Sequence, residues 1–361
     1  MMSEFLAARY AGMSPYVPGE QPKDRPYVKL NANETSVPPC PGVAKALADP
    51  QLAAGLGRYA DPHCMPLREA VARTYGVTAA EVFCGNGSDE VLGLLLLTFC
   101  EPGARIAFPD VTYGFYRDFS ATHGLAWTEL PLRDDFALDV EAFAAFDGTV
   151  VFPNPNAPTG LAITRGDVAR ICEAHPNRLV IVDEAYVDYG SQTCVPLTRD
   201  HRNLVIVHTM SKSRNLAGAH IGWCIAQPDL IDDLNDIKFS FNPFNLSAPT
   251  MAIGIAALED EGYFQTCTST ICETRDHTSL ALEGLGFTVL PSKANFICAR
   301  HPMVRAADLC ARLRTAGVLT RHYDAPRIDG WLRVTVGTPQ EMALFLAETE
   351  RILQGRAPAS P

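Results

Sequence analysis

The chain has 361 residues, of which 47% are hydrophobic, and this length can bury one large core and a second, smaller one. Its formal net charge is −11 at pH 7. This acidity argues against a general nucleic-acid or anionic-membrane surface, since both need a basic field.

The chain begins with a segment rich in proline and polar residues, which contains PYVPGEQPKDRP and, a little later, NANETSVPPCP. Frequent prolines preclude long helices, so we expect an extended arm that lies over other parts of the structure. We assign residues 1–30 to this arm. It is expected to pack with a smaller domain or with a partner subunit.

From about Pro41, helical periodicity alternates with short strand-like runs. The helical segments include VAKALADP and MPLREAVARTYG, and the strand-like runs are EVFCG, RIAFP, WTELPL, TVVFPN, LVIVDEAY, LVIVHTM and IGWCIA. This alternation predicts βαβ units and a mainly parallel sheet that is buried on both faces. We therefore expect a large α/β/α domain over residues 31–250.

The remainder of the chain has a different order of elements. A mostly helical stretch runs from about Ser247 to Leu285, and it is followed by FTVLPSKANFICAR, a helix through Ala307 to Arg314, the strand LRVTVG and a final helix. This order predicts a smaller α+β domain over residues 251–361.

The eleven cysteines are scattered and include no C-x-x-C pair, so we predict neither a disulfide framework nor a zinc or other metal site. The first residues, MMSEFLAARYAGM, lack the basic-then-apolar layout of a signal peptide. The longest apolar run, Leu92 to Phe99, is too short to span a bilayer. We therefore expect a cytoplasmic protein without a membrane segment.

Lysine is scarce in this chain, which has 6 lysines among its 30 basic residues, and Lys212 directly follows a strand-like run. An amine can lose its proton under mild conditions, whereas a guanidinium cannot. A lysine at a strand-to-helix turn is thus a candidate for amine chemistry. From this pattern alone, a solvated surface residue explains Lys212 equally well.

A second candidate is Asp183, which follows the apolar run Leu179 to Val182. Its carboxylate is predicted at the carboxyl end of a buried strand, where open α/β sheets bind their ligands. Tyr186 follows three residues later. An aspartate that only caps the next element remains the alternative.

A third candidate is the stretch GNGSDE at residues 85–90, which runs into the helical segment VLGLLLLTF. Glycines allow backbone N–H groups to converge, and the start of a helix attracts anions. The pattern is neither G-x-G-x-x-G nor a P-loop, so a phosphate monoester fits better than a dinucleotide or ATP. An ordinary N-cap and turn remains the alternative.

Taken together, these three features indicate one ligand. A phosphate cradle, a carboxylate that can pair with a protonated ring nitrogen and an amine that can form a Schiff base are what pyridoxal 5′-phosphate requires. The order of motifs resembles that of the fold-type I aminotransferases of class I and II. The motifs are GNGSDE, the tyrosine in PDVTYGFY, FPNPNAPTG, VDEAYVDY and SKSRNLAG.

Within that family the chain looks most like the histidinol-phosphate aminotransferases. The stretches that carry this likeness are MSPYVPGEQP, LNANE, GRYADPHCMPLREA and WLRVTVGT. The resemblance extends from about residue 3 to residue 350. It implies a large domain that binds the cofactor and a smaller domain that directs arginines into the cleft between the two.

The resemblance also implies roles for individual residues. Lys212 would hold the cofactor covalently and move the proton of the substrate Cα. Asp183 would keep the pyridine nitrogen protonated, and Tyr186 would bond the ring hydroxyl. Tyr113 would stack on the ring face.

The cofactor phosphate would be received, or its loop held in shape, by residues of the GNGSDE stretch and by neighbours of the lysine. These are Asn86, Gly87, Ser88, Asp89, Ser211 and His220. By the same resemblance, Tyr59 would reach the phosphate in the neighbouring subunit. That role implies a homodimer with shared active sites.

Substrate binding would fall to Arg333, with help from Arg321, because an arginine fork binds carboxylate or phosphate in a bidentate manner. Tyr16 of the arm would close over the substrate. A solvated surface arginine is the alternative for Arg321. The partners expected are small molecules, with no nucleic acid and no membrane.

The chain departs from the family pattern at two positions. His220 stands eight residues after Lys212, where the family usually has an arginine that binds the phosphate. Imidazole is shorter and only partly charged near neutral pH, so we expect weaker cofactor retention unless Arg214 or water compensates. Ala157 replaces an asparagine that bonds the ring hydroxyl, and the adjacent Asn156 is a candidate substitute.

The resemblance implies reversible amino transfer between L-histidinol phosphate and 2-oxoglutarate in histidine biosynthesis. Similar enzymes act on aromatic amino acids or decarboxylate threonine phosphate, and these motifs do not separate the outcomes. An enzyme weakened at His220 and Ala157 is a third alternative. A non-catalytic cofactor-binding module of a transcription regulator is disfavoured by the acidity and by the absence of a basic helix-turn-helix segment.

Overall fold

The computed structural model describes residues 3–7, 10, 13 and 19–355. The strands found in these ranges are β1 (Val28–Lys29), β2 (Val82–Asn86), β3 (Arg105–Pro109), β4 (Ala126–Leu130), β5 (Thr149–Pro153), β6 (Val180–Asp183), β7 (Leu204–Thr209), β8 (Ile221–Ile225), β9 (Thr288–Val289), β10 (Phe296–Arg300), β11 (Val318–Leu319), β12 (Arg321–His322) and β13 (Leu332–Thr335).

The α-helices of the same ranges are α1 (Pro41–Leu47), α2 (Pro50–Gly55), α3 (Met65–Tyr75), α4 (Gly87–Phe99), α5 (Phe115–His123), α6 (Val140–Ala145), α7 (Arg165–Ala174), α8 (Pro228–Phe241), α9 (Ala248–Glu259), α10 (Glu261–Gly284), α11 (Ala306–Thr315) and α12 (Pro339–Leu353). Local chemistry sets several of their starts. Capping boxes at Thr164 and Thr338 begin α7 and α12, and the Ser247 side chain caps α9.

The main sheet has seven strands in the order β2-β8-β7-β6-β5-β3-β4. β7, β6, β5, β3 and β4 pair in parallel, and β8 is antiparallel to both of its neighbours. The sequence prediction of a mainly parallel sheet is confirmed, and each of the seven strand-like runs forms one of its strands. Parallel pairing at the sheet centre places the carboxyl ends of β5, β6 and β7 side by side.

The central strands are buried on both faces because helices cover both sides of the sheet. All residues of β6, β7 and β8 are buried. One apolar core contains side chains of α3, α7 and α9, and a second contains side chains of α4 and α8. Such continuous apolar runs are typical of parallel strands with two covered faces.

A smaller sheet has the strand order β12-β13-β10-β9, with antiparallel pairing throughout. Its core contains side chains of α11 and α12 and also includes Tyr186 and Tyr189 from the region after β6. β1 pairs in parallel with β11. The segment after β1 continues onto β13, since the Thr335 N–H donates to the Leu30 carbonyl at 2.9 Å. The segment around β1 is therefore attached to β11 and to the smaller sheet.

Two details differ from the sequence expectation. The long helical stretch is divided at Asp260 into α9 and α10, because the Asp260 side chain caps the Tyr263 N–H and starts a new helix. The FTVLPSKANFICAR stretch forms two strands, β9 and β10, which are separated by an irregular turn. Neither detail alters the order of strands and helices that the sequence predicts.

Three further observations concern the expectations from composition. All eleven cysteines carry free thiols, and nine of them are buried. Among the described residues, no cluster of three or more histidine, cysteine, aspartate or glutamate side chains is arranged to hold a metal ion. In the same part of the chain, no helix has the length and apolar character that crossing a membrane requires.

Candidate active site

A cavity of about 210 Å³ lies at the carboxyl ends of the central strands. Pro153 ends β5, Asp183 ends β6 and Thr209 ends β7, and all three line the cavity. The remaining lining residues come from the amino-terminal segment, from the start of α4 and from the loops around Lys212: Ala32, Glu34, Ser88, Asp89, Tyr113, Ala157, Ala185, Tyr186, Ser211, Lys212, Ala217 and His220. Eight residues predicted from the sequence are thus brought together.

A larger and more open groove, of about 1080 Å³, lies at the opposite edge of the sheet. It is lined by residues at the amino ends of the parallel strands, among them Arg105, Thr149 and Leu179. Open α/β sheets bind ligands beyond the carboxyl ends of their strands. The smaller cavity is also the one that contains an amine, carboxylates and phenols, and it is therefore the candidate site.

Asp183 occupies the floor of the cavity and is 5% exposed. The Tyr116 hydroxyl donates to Asp183 Oδ2 at 2.9 Å, and the Ala185 N–H donates to Oδ1 at 3.1 Å. Burial raises the pKa of Asp183 to about 6, while the hydrogen bonds from Tyr116 and Ala185 act in the lowering direction. The carboxylate is thus held in one orientation and is ionised at neutral pH.

Lys212 and Tyr186 line the same cavity as Asp183. Lys212 Nζ lies 5.9 Å from the centre of the Tyr186 ring, and the positive charge of Lys212 acts to lower the Asp183 pKa. The pKa of Tyr186 is raised by burial, which is opposed by the charge of Arg333 and by a hydrogen bond from Asn33. An amine, a carboxylate and a phenol therefore surround one small space.

The start of α4 borders the cavity through Ser88 and Asp89. Gly87 has φ of +77°, and a Cβ added there would come within 2.5 Å of the His220 ring. A Cβ added at Gly222 of β8 would come within 2.4 Å of the Ser88 nitrogen. The helix start, whose first N–H groups have no partner within the helix itself, is therefore packed closely against β8 and His220, as an anion cradle requires.

Tyr113 and Ser211 also line the cavity, and each is held by a neighbour. The Tyr113 hydroxyl donates to Asp89 Oδ1 at 3.0 Å. The Ser211 N–H donates to Thr209 Oγ1 at 3.1 Å, and the Thr209 hydroxyl donates to Ser211 Oγ at 3.0 Å. These bonds link the loop after β7 and the loop before α5 to the cavity wall.

Four residues predicted to bind the cofactor do not line the cavity: Asn86, Gly87, Asn156 and Tyr59. Asn156 is buried, and its amide donates to the Val111 carbonyl and to Thr159 Oγ1 while accepting from Thr112. Ala157, rather than Asn156, lines the cavity. The amide of Asn156 is therefore engaged within its own loop and with the residues before α5. Asn86 is exposed at the N-cap of α4 and makes no side-chain cap hydrogen bond.

Arg214, the candidate to bind the phosphate together with His220, instead contacts residues of α9 and α10. Its Nη1 donates to the Ala257 carbonyl at 3.0 Å, and its Nη2 lies 3.2 Å from Glu261 Oε2. The guanidinium also stacks 3.6 Å from the centre of the Phe264 ring. This geometry leaves His220 as the cationic candidate beside the start of α4.

The predicted substrate arginines lie on adjacent strands of the smaller sheet, where Arg321 of β12 is paired with Arg333 of β13. Arg333 is 9% exposed, and it donates to the Tyr323 hydroxyl and to the Asn31 carbonyl, each at 2.6 Å. Arg321 lies 5.4 Å from the centre of the Tyr323 ring. Neither arginine lines the 210 Å³ cavity itself, although the charge of Arg333 influences Tyr186 within it.

The last two predicted residues are remote or undescribed. Tyr59 lies away from the cavity, is 82% exposed and stacks on Phe244 at 4.3 Å between ring centres. Tyr16 lies outside the described residues. The site of a single chain therefore contains no contribution from Tyr59.

Comparison with known proteins identifies the family. The model of the family "Aminotransferase class I and II" matches residues 25–348. The histidinol-phosphate aminotransferase of Aromatoleum aromaticum is 42% identical over 357 residues, which cover 98% of this chain and 100% of that protein. The chain belongs to the histidinol-phosphate aminotransferases of this family. The enzyme of the same name from Clostridium acetobutylicum is 42% identical over 345 residues, covering 96% of this chain and 98% of that one.

A solved structure supports the same assignment. The crystal structure of histidinol-phosphate aminotransferase from Sinorhizobium meliloti in complex with pyridoxal-5′-phosphate matches with a TM-score of 0.84 and 26% identity, covering 92% of each chain. The predicted fold-type I aminotransferase architecture is therefore confirmed, as is the prediction that the protein is an aminotransferase.

In this aminotransferase, sequence reasoning missed three residues that support the site: Tyr116, Asn33 and Thr335. Tyr116 bonds Asp183, and its spacing of three residues from Tyr113 at the start of α5 was the available signal. Asn33 lies within the LNANE stretch and Thr335 within LRVTVG, both of which the sequence singles out. No local pattern indicates that these two stretches meet.

Proposed function

We propose that this enzyme transfers an amino group reversibly between L-histidinol phosphate and 2-oxoglutarate, with pyridoxal 5′-phosphate as its cofactor, in histidine biosynthesis. The observation that carries the proposal is the convergence of Lys212, Asp183 and the start of α4 on one cavity. The proposed substrate is that of the relatives, which are histidinol-phosphate aminotransferases. The cytoplasmic location expected from the sequence remains part of the proposal.

The residues of the cavity fit this cofactor. Burial makes Asp183 suited to pair with one ring nitrogen, since a buried carboxylate gains most from a cationic partner. The unpaired N–H groups at the start of α4, with Ser88, Ser211 and His220, suit a phosphate. When bound, pyridoxal 5′-phosphate supplies an aldehyde that condenses with amines and a ring that withdraws electrons from the substrate Cα.

We assign a separate role to each side chain of the cavity. Lys212 Nζ would accept the proton of the substrate Cα and later return it, which requires an amine that can be neutral. Asp183 would hold a proton on the ring nitrogen beside it. Tyr186 would present its hydroxyl to the ring oxygen, and Tyr113 would cover one face of the ring.

Arg333 and Arg321 would bind the anionic groups of the two substrates in turn. Both half-reactions would use this one site, so ping-pong kinetics are expected. Two guanidinium groups on adjacent strands suit a phosphate or a carboxylate, since each can donate in a bidentate manner. Tyr16 of the arm is proposed to cover the substrate.

We further propose a homodimer in which Tyr59 serves the site of the partner subunit. A stacked pair of exposed aromatic rings, Tyr59 and Phe244, supports this, because aromatic side chains are enriched at interfaces. The proposed domains are the arm at residues 1–30, a large domain at residues 31–250 and a small domain at residues 251–361. Met251, Ala257 and Leu258 of α9 belong to the core of the large sheet, which favours moving the second boundary from residue 250 to near Asp260.

The test is an assay that offers histidinol phosphate, phenylalanine, tyrosine and threonine phosphate separately, and measures glutamate formation and carbon dioxide release independently. Glutamate should form fastest with histidinol phosphate, without carbon dioxide. Borohydride should fix the cofactor to Lys212, and both Lys212→Ala and Lys212→Arg should be inactive, since arginine keeps the charge but does not release its proton. A higher kcat/KM for phenylalanine, or carbon dioxide release, would contradict the proposed substrate.

A further inference from the structure

Two buried residues outside the predicted set, Thr335 and Asn33, form a continuous chain of hydrogen bonds that ends at Tyr186 in the cavity. The Thr335 hydroxyl of β13 donates to Asn33 Oδ1 at 3.1 Å, and Asn33 Nδ2 donates to the Tyr186 hydroxyl at 2.9 Å. Thr335 is 1% exposed, and Asn33 is 2% exposed. Tyr186 lines the cavity. The chain therefore runs from the smaller sheet to the candidate site.

Each of these bonds has a defined donor. The Asn33 N–H donates to Thr335 Oγ1 at 2.9 Å, and the Thr335 hydroxyl donates its only proton to Asn33 Oδ1 at 3.1 Å. The amide oxygen of Asn33 thus faces Thr335, and its NH₂ group faces Tyr186. Since the Tyr186 oxygen accepts this bond, its own proton is left for a partner in the cavity.

The backbone conformation of Asn33 helps to hold its amide in this orientation. Asn33 has φ of 55°, in the left-handed region that asparagine and aspartate adopt more readily than most residues. The Asn295 side chain donates to the Asn33 carbonyl at 3.1 Å, which holds the segment in place. The amide is therefore fixed from both its backbone and its side chain.

The orientation of the Tyr186 hydroxyl matters more in this chain because Ala157, on the neighbouring wall of the cavity, has no side-chain hydrogen-bond donor. Ala157 contributes only a methyl group there, and the amide of Asn156 is engaged with Val111, Thr112 and Thr159. A ring oxygen of a ligand on this side would thus depend on the Tyr186 hydroxyl as a donor. If the Tyr186 hydroxyl donated its proton to Asn33 instead, the ring oxygen of the ligand would lose this hydrogen bond.

We propose that Asn33 and Thr335 are positioning residues that direct the Tyr186 hydroxyl proton toward the ring oxygen of the cofactor. This inference rests on the proposed function. By this inference, the LNANE stretch and the strand that carries Arg333 both influence the protonation of the bound cofactor. Thr335 lies two residues from Arg333 on β13, so the same strand bears on both the substrate and Tyr186.

The charges of Arg333, Asp183 and Asp89 act on the pKa of Tyr186, and Lys212 Nζ lies 5.9 Å from the centre of its ring. Glu34 and His220 line the same cavity. A change of charge at Asn33 would act on the cavity together with these groups. The experiment must therefore separate the direction of the Tyr186 proton from a simple electrostatic effect.

The measurement is the pH midpoint of the visible absorption change of the cofactor bound to the full-length enzyme. Asn33→Asp replaces the NH₂ donor with an acceptor, so the Tyr186 proton turns away from the cavity. Loss of a hydrogen bond to the ring oxygen should raise the midpoint by about one pH unit. Thr335→Val, which removes the orienting hydroxyl, should shift it in the same direction, and Thr335→Ser should restore the wild-type value.

The Asn33→Asp substitution is also made in a Tyr186→Phe variant, which lacks the hydroxyl. If Asn33 acts through Tyr186, then Asn33→Asp adds little further shift when Tyr186→Phe is already present. Additive shifts would show a charge effect only and would overturn the inference, as would equal midpoints for wild type, Thr335→Val and Thr335→Ser. Thermal unfolding of each cofactor-free variant checks the fold, and the two Thr335 variants decide the question if Asn33→Asp does not fold.

The same experiment distinguishes this inference from the proposed function. A wild-type enzyme that gives no visible band with pyridoxal 5′-phosphate, and no borohydride label on Lys212, would contradict the function itself. A normal wild-type band with unshifted variants would contradict only the role of Asn33 and Thr335.

Discussion

The buried carboxyl of Asp183 lowers the stability of the cofactor-free protein, and the same carboxyl is proposed to pair with the cofactor. Its pKa is raised to about 6 by burial, above its ordinary value of 3.8, even with hydrogen bonds from Tyr116 and Ala185. Because the folded-state pKa lies above the unfolded one, the ionised carboxyl destabilises the cofactor-free fold above pH 6, and this cost disappears as the pH falls through 6 toward 3.8. A cationic ring nitrogen would relieve the same cost.

Asp183→Asn should therefore stabilise the cofactor-free protein while it abolishes turnover. The gap in pKa corresponds to up to about 3 kcal/mol of unfolding free energy at pH 7.5, and the gain should shrink at pH 4.5. Asparagine can still bond both Tyr116 and the Ala185 N–H. Urea unfolding at the two pH values measures the gain, and kcat should fall by about a hundredfold or more. A gain that is larger at pH 4.5 would contradict this account.

His220 is the second residue whose chemistry gives a prediction. Its ring lies against the start of α4, where an imidazole can offer a phosphate at most one hydrogen bond, whereas an arginine fork can donate two. His220→Arg should therefore tighten cofactor binding about tenfold, as measured by titrating cofactor-free enzyme with pyridoxal 5′-phosphate. His220→Gln, which keeps a single donor group, is the control and should bind no more tightly than wild type. Equal affinity of His220→Arg and wild type would argue against a phosphate contact at this position.

At the scale of elements, the start of α4 depends on β8. Gly222 of β8 is paired with Gly85 of β2, so the strand that ends before α4 and the strand beneath it both lack side chains at this point. The added Cβ at Gly222 would meet backbone atoms of Gly87 and Ser88, which have no flexible end to move aside. The helix start would have to shift as a whole.

Gly222→Ala should therefore weaken cofactor binding about tenfold or more, while the central sheet still forms, because the N–H groups at the start of α4 would move away from the phosphate. Titration of cofactor-free enzyme with pyridoxal 5′-phosphate measures the loss. Gly262→Ala in α10, where an added Cβ has no neighbour within 4 Å, is the matched control and should bind normally. Unchanged affinity in Gly222→Ala would argue against the α4 cradle.

The elements themselves were largely predictable. The runs that form β6, β7 and β8 are buried throughout and mostly apolar, because a sheet between two helical layers buries both faces. Lys212 and Asp183 could be placed at strand ends for the same reason. By contrast, the division of the long helix at Asp260 depends on one capping side chain, which periodicity alone does not reveal.

At the scale of the whole molecule, Tyr59 lies far from the cavity of its own chain, with 82% of its surface exposed. A tyrosine that serves a partner's site predicts complementation between damaged subunits. Tyr59→Ala alone should weaken cofactor binding, and Lys212→Ala alone should be inactive. When the two are unfolded, mixed and refolded together, mixed dimers contain one intact site each, so activity should return to about a quarter of the wild-type level.

Each variant refolded alone provides the control for this mixing experiment. Light scattering should show twice the mass of the chain for all of them. Failure to regain activity from a mixture that does form mixed dimers would show that Tyr59 does not act across an interface.

The sequence by itself determined the elements and the chemical groups: the order of strands and helices, the lysine and the aspartate at strand ends, and the glycines before α4. These follow from local periodicity, composition and motif order, which a linear chain displays. Only the tertiary structure decided which groups share a cavity. It placed Ala157 rather than Asn156 on the wall, engaged Arg214 elsewhere and joined Thr335 to Asn33 across 302 residues. Hydrogen bonds depend on distance and direction in space, and neither is encoded in local sequence spacing.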